Sequence, residues 1–336
     1  MKNLLFSSLA ILLLATALQA QDTASVTFIP ATGNYLLQYT VNGIQYADTL
    51  EPSTKIDPTV SCTITFDATA GLYNYVYTVG LLPSSQQYLL SFSVAHTAEI
   101  LLPLKPNATW MMLAWNQQLW SWSNSLVNPS GLRPDTTNIA PGESLGGFSF
   151  RSTGLPTIVK AYFSGNAVSL AFTGEPPSLM QELLAPLRVF PNDQVIKSTL
   201  GPTNPPTPFN GLTFLDTLIS YKHQAVTLGW LKSKRDGDCD DDEKPDDGIV
   251  GNLDKRLEKA KKELIKGDSV KARKELEKFV KKVERLRKRS EEAENKNKSD
   301  QVDMTSEAYA LLKYNAEYLI DRLPDRKPKK GSKEKD

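Results

Sequence analysis

The stretch GPTNPPTPFNGLTFLDTLIS, residues 201–220, separates two parts of the chain that have different hydrophobic periods. Its first half is rich in proline, which lacks a backbone donor and cannot continue a central strand or a helix. From Leu212 the apolar residues recur at helical spacing, whereas the residues upstream alternate as strands do. The sequence therefore predicts a β-rich part followed by an α-helical part.

The upstream part consists of short runs in which aromatic and β-branched residues alternate with Thr, Ser and Asn. The run LYNYVYTV at residues 72–79 is one example. Such alternation is typical of antiparallel sheets that bury one face in the core and expose the other to solvent. We predict an antiparallel, immunoglobulin-like β-sandwich over residues 21–172. Residues 173–211 are predicted to be a Pro-rich extended connector, with one last strand at residues 183–190.

The downstream part, residues 212–324, contains four amphipathic stripes separated by short connections. Gly267 is a natural C-terminal cap for the second stripe, and Asp268 can cap the next helix. Pro324 ends the last stripe. This pattern predicts a small up-and-down helical bundle. The charged tail at residues 325–336 is predicted to be disordered.

The first twenty residues have the composition of a secretory signal peptide. Lys2 precedes an apolar run at residues 4–18, and Ala20 stands at the expected cleavage position. The run is shorter than the ~20 residues that a membrane-spanning helix needs. We therefore expect a secreted, extracellular protein with no transmembrane segment. Only Cys62 and Cys239 are present, so a disulfide scaffold is excluded, and whether these two pair stays open.

No motif for catalysis is recognisable. The chain has two histidines, His96 and His223, and no nucleophile elbow, zinc helix, P-loop or dinucleotide fingerprint. We predict that the protein is not an enzyme. The alternative is a polysaccharide hydrolase of unrecognised type whose carboxylates lie in the β-rich part. Its candidate acids are Glu99, Asp135, Glu143 and Glu175.

The segment at residues 110–124 holds four of the five tryptophans and is the best candidate for a ligand site. Trp120 and Trp122 would share one face of a strand. If the two indoles are exposed, they form a platform on which sugar rings can stack. If they are buried, they fill the core of the sandwich. The predicted ligand-binding residues are Trp115, Trp120, Trp122 and Asn124.

The acidic stretch RDGDCDDDEKPDDG, residues 235–248, resembles a calcium loop only in part. The predicted metal ligands are the alternating Asp236, Asp238, Asp240 and Asp242. An EF-hand loop beginning at Asp236 would need glycine where Asp241 stands and glutamate where Asp247 stands. Calcium is therefore a secondary hypothesis beside a solvated acidic loop, and no other cofactor is predicted.

Residues 252–290 carry sixteen Lys or Arg against seven Asp or Glu. Such an excess could hold an acidic polysaccharide, lipid headgroups or nucleic acid. Nucleic acid is disfavoured because Phe279 is the only aromatic residue there and because the chain is predicted to be exported. A solvated face with Glu–Lys helix pairs is the simpler interpretation.

Several helical segments resemble the C-terminal FIMAH module of exported bacterial proteins, over about residues 212–323. The matching segments are FLDTLISY at 214–221, LGWL at 228–231, LDKRLEKA at 253–260, ARKEL at 272–276 and TSEAYALLKYNAEYLI at 305–320. The resemblance implies a helical module attached to a secreted or cell-surface protein, and it supplies no catalytic residues. We therefore expect a non-catalytic binding or surface-associated protein whose partner is a polysaccharide or another envelope component; a purely structural surface module is the further alternative.

Overall fold

The computed structural model describes residues 22–116, 118–124, 139–166, 172, 175–188, 190–232, 248–298 and 301–324, without the side chains of residues 115 and 116. These residues form twelve strands in three antiparallel sheets and five helices, four of which follow the last strand. The predicted order of β structure followed by α structure is confirmed. No helix in this described part is long and apolar enough to cross a membrane.

The first sheet is a meander that packs on a helix from much later in the chain. Its strands are β1 (Thr23–Ile29), β2 (Asn34–Val41) and β3 (Ile44–Leu50), and the helix is α1 (Ser178–Arg188). Met180 and Leu184, one helical turn apart, are buried against Leu37 and Tyr39 of β2. The strand predicted at residues 183–190 is therefore wrong, because the apolar residues there follow the helical period and bury one face.

Two further sheets face each other across one aromatic core. The four-stranded sheet has the order β4 (Pro58–Asp67), β5 (Leu72–Leu81), β10 (Ser144–Ser152) and β7 (Leu101–Leu104). The five-stranded sheet has the order β12 (Val195–Thr203), β11 (Leu155–Gly165), β6 (Leu89–Ala95), β9 (Leu119–Asn124) and β8 (Trp110–Asn116). Tyr77, Phe92 and Phe148 are fully buried between them.

Strand β12 lies inside the segment predicted to be an extended connector. It pairs with β11 over nine residues, from Leu155↔Thr203 to Phe163↔Val195. Pro202 belongs to this strand. Proline was predicted to be incompatible with a central strand. Since β12 is an edge strand, the missing N–H of proline can face away from the ladder. The connector prediction over residues 173–211 is thus corrected to a helix, a strand and a short link.

The remaining helices are α2 (Gly211–Thr227), α3 (Ile249–Ile265), α4 (Ser269–Glu294) and α5 (Ser306–Arg322), and they share a second core. Gly267 follows α3 with φ of 76°, a left-handed conformation that suits glycine. The Asp268 side chain accepts a hydrogen bond from the Lys271 backbone N–H at the start of α4. Both predicted caps are confirmed.

Helix α5 belongs to both cores and joins the β-rich part to the helical part. Its residues Leu311 and Tyr314 pack in the aromatic core between the two facing sheets. The Tyr314 hydroxyl donates to the Ile64 carbonyl at 3.1 Å, and the Asn315 amide donates to the Pro156 carbonyl at 2.8 Å. The Glu307 carboxylate, also buried, accepts from the Cys62 N–H at 2.7 Å. The two parts therefore contact each other through buried, hydrogen-bonded side chains.

Candidate functional site: a cationic row on helix α4

The tryptophans predicted as a sugar platform point into the core. Trp120 and Trp122 do share one face of β9, as predicted, but that face is the inner one. Trp122 is fully buried, its ring stacks on Phe92 at 5.3 Å, and its Nε1–H donates to the Leu104 carbonyl at 3.0 Å. An indole with no exposed surface cannot stack on a ligand ring. The ligand-binding assignment of Trp122 is therefore wrong, and the core alternative holds for it.

Of the other predicted ligand residues, Trp120 and Asn124 have described side chains. Trp120 is half-buried against the same core, and its indole N–H is buried with no hydrogen-bond partner. Asn124 is 3% exposed. The side chain of Trp115 lies outside the described residues. Among the described side chains of the predicted ligand site, only part of the Trp120 indole is accessible to solvent.

Two of the acids considered for a hydrolase, Glu99 and Glu143, lie far apart. Ser152, at the end of β10, donates to the Glu99 carbonyl, whereas Glu143 immediately precedes the first residue of β10. Nine residues of extended strand separate these two points, which is on the order of 27 Å. A glycosidase pair needs a separation of roughly 5–9 Å. Glu175 is exposed, and Asp135 lies outside the described residues.

The two histidines have different environments. His96 is 8% exposed, and its Nδ1 lies 2.9 Å from the Ala98 carbonyl oxygen, as a ring N–H donor would. Its Nε2 is buried with no partner. His223 is exposed on α2, beside a cavity of about 280 Å³ between α2 and α3.

The predicted calcium ligands Asp236, Asp238, Asp240 and Asp242 lie outside the described residues, as does Cys239. Elsewhere in the described part of the chain, no group of three or more His, Cys, Asp or Glu side chains could hold a metal ion. Cys62 is a free, buried cysteine. Burial, with a contribution from the nearby Glu307 carboxylate, raises the pKa of its thiol well above the ordinary value.

The most extensive charged feature in the described residues is a line of cations along α4, which we name the α4 cationic row. Its members recur at steps of three or four residues, with two adjacent pairs, so they share one face of the helix. The row consists of Lys271, Lys274, Lys278, Lys281, Lys282, Arg285, Lys288 and Arg289. All are exposed except the half-buried Lys282. From Lys271 to Arg289 the helix rises over eighteen residue steps, which makes the row about 27 Å long.

The apolar residues of α4 explain why this row faces solvent. Leu276, Phe279, Val283 and Leu286 are fully buried in the helical core. They also recur at steps of three or four residues, but on the side of the helix away from the row. The burial of this stripe fixes the rotation of α4 about its axis. That rotation leaves the cationic row outside.

Three members of the row have acidic neighbours. Lys271 lies 3.2 Å from Asp268, Lys278 lies 2.6 Å from Glu275, and Arg289 lies 3.2 Å from Asp303. Burial alone would raise the pKa of Glu275, but hydrogen bonds from Lys278 and Arg256 lower it below the ordinary value. These three cations are partly neutralised within the chain.

The other five members form no ion pair with any described residue. They are Lys274, Lys281, Lys282, Arg285 and Lys288. The simpler sequence interpretation, a solvated face with Glu–Lys pairs, therefore accounts for only part of the row. The sequence shows the excess of positive charge, and Lys271 and Lys278 have local acidic partners three residues upstream, whereas the pairing of Arg289 with Asp303 depends on folding.

Two other arginines of α4, Arg273 and Arg287, have a structural role, unlike the five cations of the row that form no ion pair. Arg273 donates from Nη1 to the Ile320 and Leu323 carbonyls at 2.8 and 2.9 Å, at the C-terminal end of α5. Arg287 binds Glu291 and Glu294 and donates to the Met304 carbonyl. Both side chains flank the row and lie against α5 or the segment before it. They hold the helices together, whereas the five free cations do not.

Comparison with protein-family models and with curated proteins gives no match.

Proposed function

We propose that this chain is an exported, non-catalytic bacterial protein that attaches to an acidic polysaccharide of the cell envelope through the α4 cationic row. In this proposal the facing sheets form an immunoglobulin-like sandwich. The four C-terminal helices form a FIMAH-like up-and-down bundle that presents the row. The aromatic core and the buried contacts of α5 support a rigid body that displays one charged helix face.

The observation that carries this proposal is the set of five exposed or half-exposed cations that form no ion pair with a described residue. Like charges four residues apart on a helix, such as Lys281 and Arg285, destabilise it by about 0.2–0.5 kcal/mol per pair. Each such pair opposes the stability of α4 in the free protein. An anionic polymer lying along the helix would remove this repulsion and gain the attraction of several cations at once.

The surroundings of the row favour a polysaccharide over the other polyanions. Phe279, the only ring on α4, is fully buried, so bases of a single strand would find no stacking surface. The apolar face of α4 is buried in the core, whereas a helix that lies in a membrane interface inserts its apolar face into the lipid. A flexible linear chain needs only the charges along the row, which lysines supply with little demand on geometry.

Removing two free cations is expected to weaken binding of polygalacturonate, a carboxylated polysaccharide. A cation near an anionic surface contributes about 1 kcal/mol, so K281Q/R285Q should lose about 2 kcal/mol, or roughly 30-fold in affinity. The variant K105Q/K160Q, which removes two exposed lysines of the β-rich part, is the matched control and should bind as the parent does. Calorimetry at two salt concentrations measures both, and affinity of the parent should fall as salt rises.

Equal loss in both double variants would show that net charge, and not the row, drives binding. Binding of anionic vesicles or of a DNA oligonucleotide in preference to polygalacturonate would reassign the partner. Cleavage of the polysaccharide during the assay would contradict the non-catalytic proposal.

A further inference from the structure

Part of the α4 cationic row forms a straight line parallel to the helix axis, which we name the α4 line. Its members are Lys274, Lys278, Lys281, Arg285 and Lys288. Their steps of four and three residues alternate, so at about 100° per residue each member stays within about 40° of one direction. The other members of the row, Lys271, Lys282 and Arg289, lie about 60–80° to one side of that direction.

The α4 line has a defined density of charge. From Lys274 to Lys288 the helix rises over fourteen residue steps, about 21 Å, so the five cations are on average about 5 Å apart. In a polyuronate every sugar carries one carboxylate, and one sugar of an extended chain is about as long as one helix turn. Such a polymer therefore supplies about one anion for each cation of the line. A polymer with one carboxylate for every two sugars supplies about half as many.

The α4 line is accessible along its length and is followed by an acid. All five members are exposed. Lys278, the one member with an ion pair to a described residue, lies 2.6 Å from Glu275 but keeps 53% of its side chain exposed. Glu292 follows Lys288 by four residues on the same face and is also exposed. Its carboxylate would repel a polyanion, so the line of attraction stops there.

Two acidic residues of α4 that lie beside the line are held by other cations. Glu277 lies 3.2 Å from Arg273. Glu284 lies 3.0 Å from Lys313 of α5. These ion pairs direct both carboxylates toward cations outside the line, which leaves the charges of the line available to an external anion.

We propose that the α4 line binds a linear polyuronate with a carboxylate on every sugar, and that this polymer lies parallel to α4. The proposal rests on the proposed attachment to an acidic polysaccharide and adds its charge density and its direction. A parallel polymer contacts all five cations with about five sugars, whereas one that crosses the helix meets only one or two. Lysine side chains are long and flexible, so the sugars need no exact register with the helix turns.

The salt dependence of binding tests the charge density. Each ion pair formed with a polyanion releases counterions, so the logarithm of the affinity falls more steeply with the logarithm of salt when more pairs form. Calorimetry of the full chain should give a slope for polygalacturonate that is roughly twice the slope for hyaluronate, which has one carboxylate for every two sugars. Equal slopes would overturn the preference for a carboxylate on every sugar.

Neighbouring lysines test the position of the polymer. Lys281→Gln should weaken polygalacturonate binding about five-fold at physiological salt, since a cation beside a polyanion contributes about 1 kcal/mol. Lys282→Gln is the matched control, because it removes the same charge from the next residue and neither lysine has an ion pair with a described residue. Lys282 lies to the side of the line, and charges beyond ~8 Å are screened at this salt, so its loss should be less than two-fold.

The two ends of the line test the direction of the polymer. Lys274→Gln and Lys288→Gln should each weaken binding about as much as Lys281→Gln does. Full affinity in both end variants would overturn the parallel direction, and equal losses in Lys281→Gln and Lys282→Gln would overturn the line. In either case the proposed attachment to an acidic polysaccharide would stand, because the parent still binds. A parent that binds neither polymer would overturn both proposals.

Discussion

Trp122→Ala is expected to lower the free energy of unfolding by about 3–5 kcal/mol, the range for removing a buried large aromatic side chain. Trp122 contacts Phe92, Tyr77, Phe148 and Phe150 with ring centroids 5.3–6.0 Å apart, and its Nε1–H bonds the Leu104 carbonyl. Truncation leaves a cavity between the sheets and an unsatisfied carbonyl. Urea denaturation followed by circular dichroism measures the change, because the variant also alters tryptophan fluorescence.

Phe190→Ala is the control for this prediction. Phe190 is 48% exposed and contacts the Tyr162 ring at 4.8 Å on the outside of the molecule. Its loss should cost less than about 1 kcal/mol, because about half of its surface is already in water. A Trp122→Ala protein as stable as this control would show that the indole is not a core residue and would return it to the ligand-site hypothesis.

Asp254→Asn is expected to destabilise the protein by about 3 kcal/mol. The Lys222 ammonium group is fully buried and forms an ion pair with the Asp254 carboxylate across α2 and α3. Neutralising the partner leaves a buried positive charge uncompensated, which is costly in a protein interior. Thermal and urea unfolding at neutral pH measure the loss.

The chain supplies a matched exposed pair between the same two helices. Lys261 and Asp216 lie 2.7 Å apart, with 39% and 48% of their side chains exposed. Asp216→Asn should change stability by less than about 1 kcal/mol, as is usual for surface ion pairs. In the double variant Lys222→Met/Asp254→Asn, stability should recover, because no charge then remains buried. Failure to recover would mean that Asp254 acts through contacts other than Lys222.

Local signals predicted much of the helical part. The spacing of Leu253, Leu257 and Ala260 marks α3, and all three are buried. Glycine at the end of α3 and aspartate before α4 are local capping signals, and both cap as expected. The alternation in LYNYVYTV likewise marks β5, with Tyr75, Tyr77 and Val79 on the buried face. Such patterns can be interpreted because the type of element, and which residues share one of its faces, depend on neighbouring residues.

The errors arose where distant residues decide the outcome. The Pro-containing segment that became β12 is stabilised by pairing with β11 about forty residues upstream, and its edge position makes proline acceptable. Likewise α1 forms where Met180 and Leu184 can bury against β2, far upstream in the chain. Propensity within a short window carries no information about such partners.

The sequence by itself determined the order of β then α structure, the helix periods and caps, the alternation of Trp120 with Trp122, and the excess of positive charge in residues 252–290. Tertiary structure alone decided which face of β9 is buried, that Arg289 of α4 pairs with Asp303, and that α5 joins the two cores. The physical reason is that period and composition are properties of one segment. Burial and charge neutralisation depend on what packs against that segment, and those partners come from remote parts of the chain.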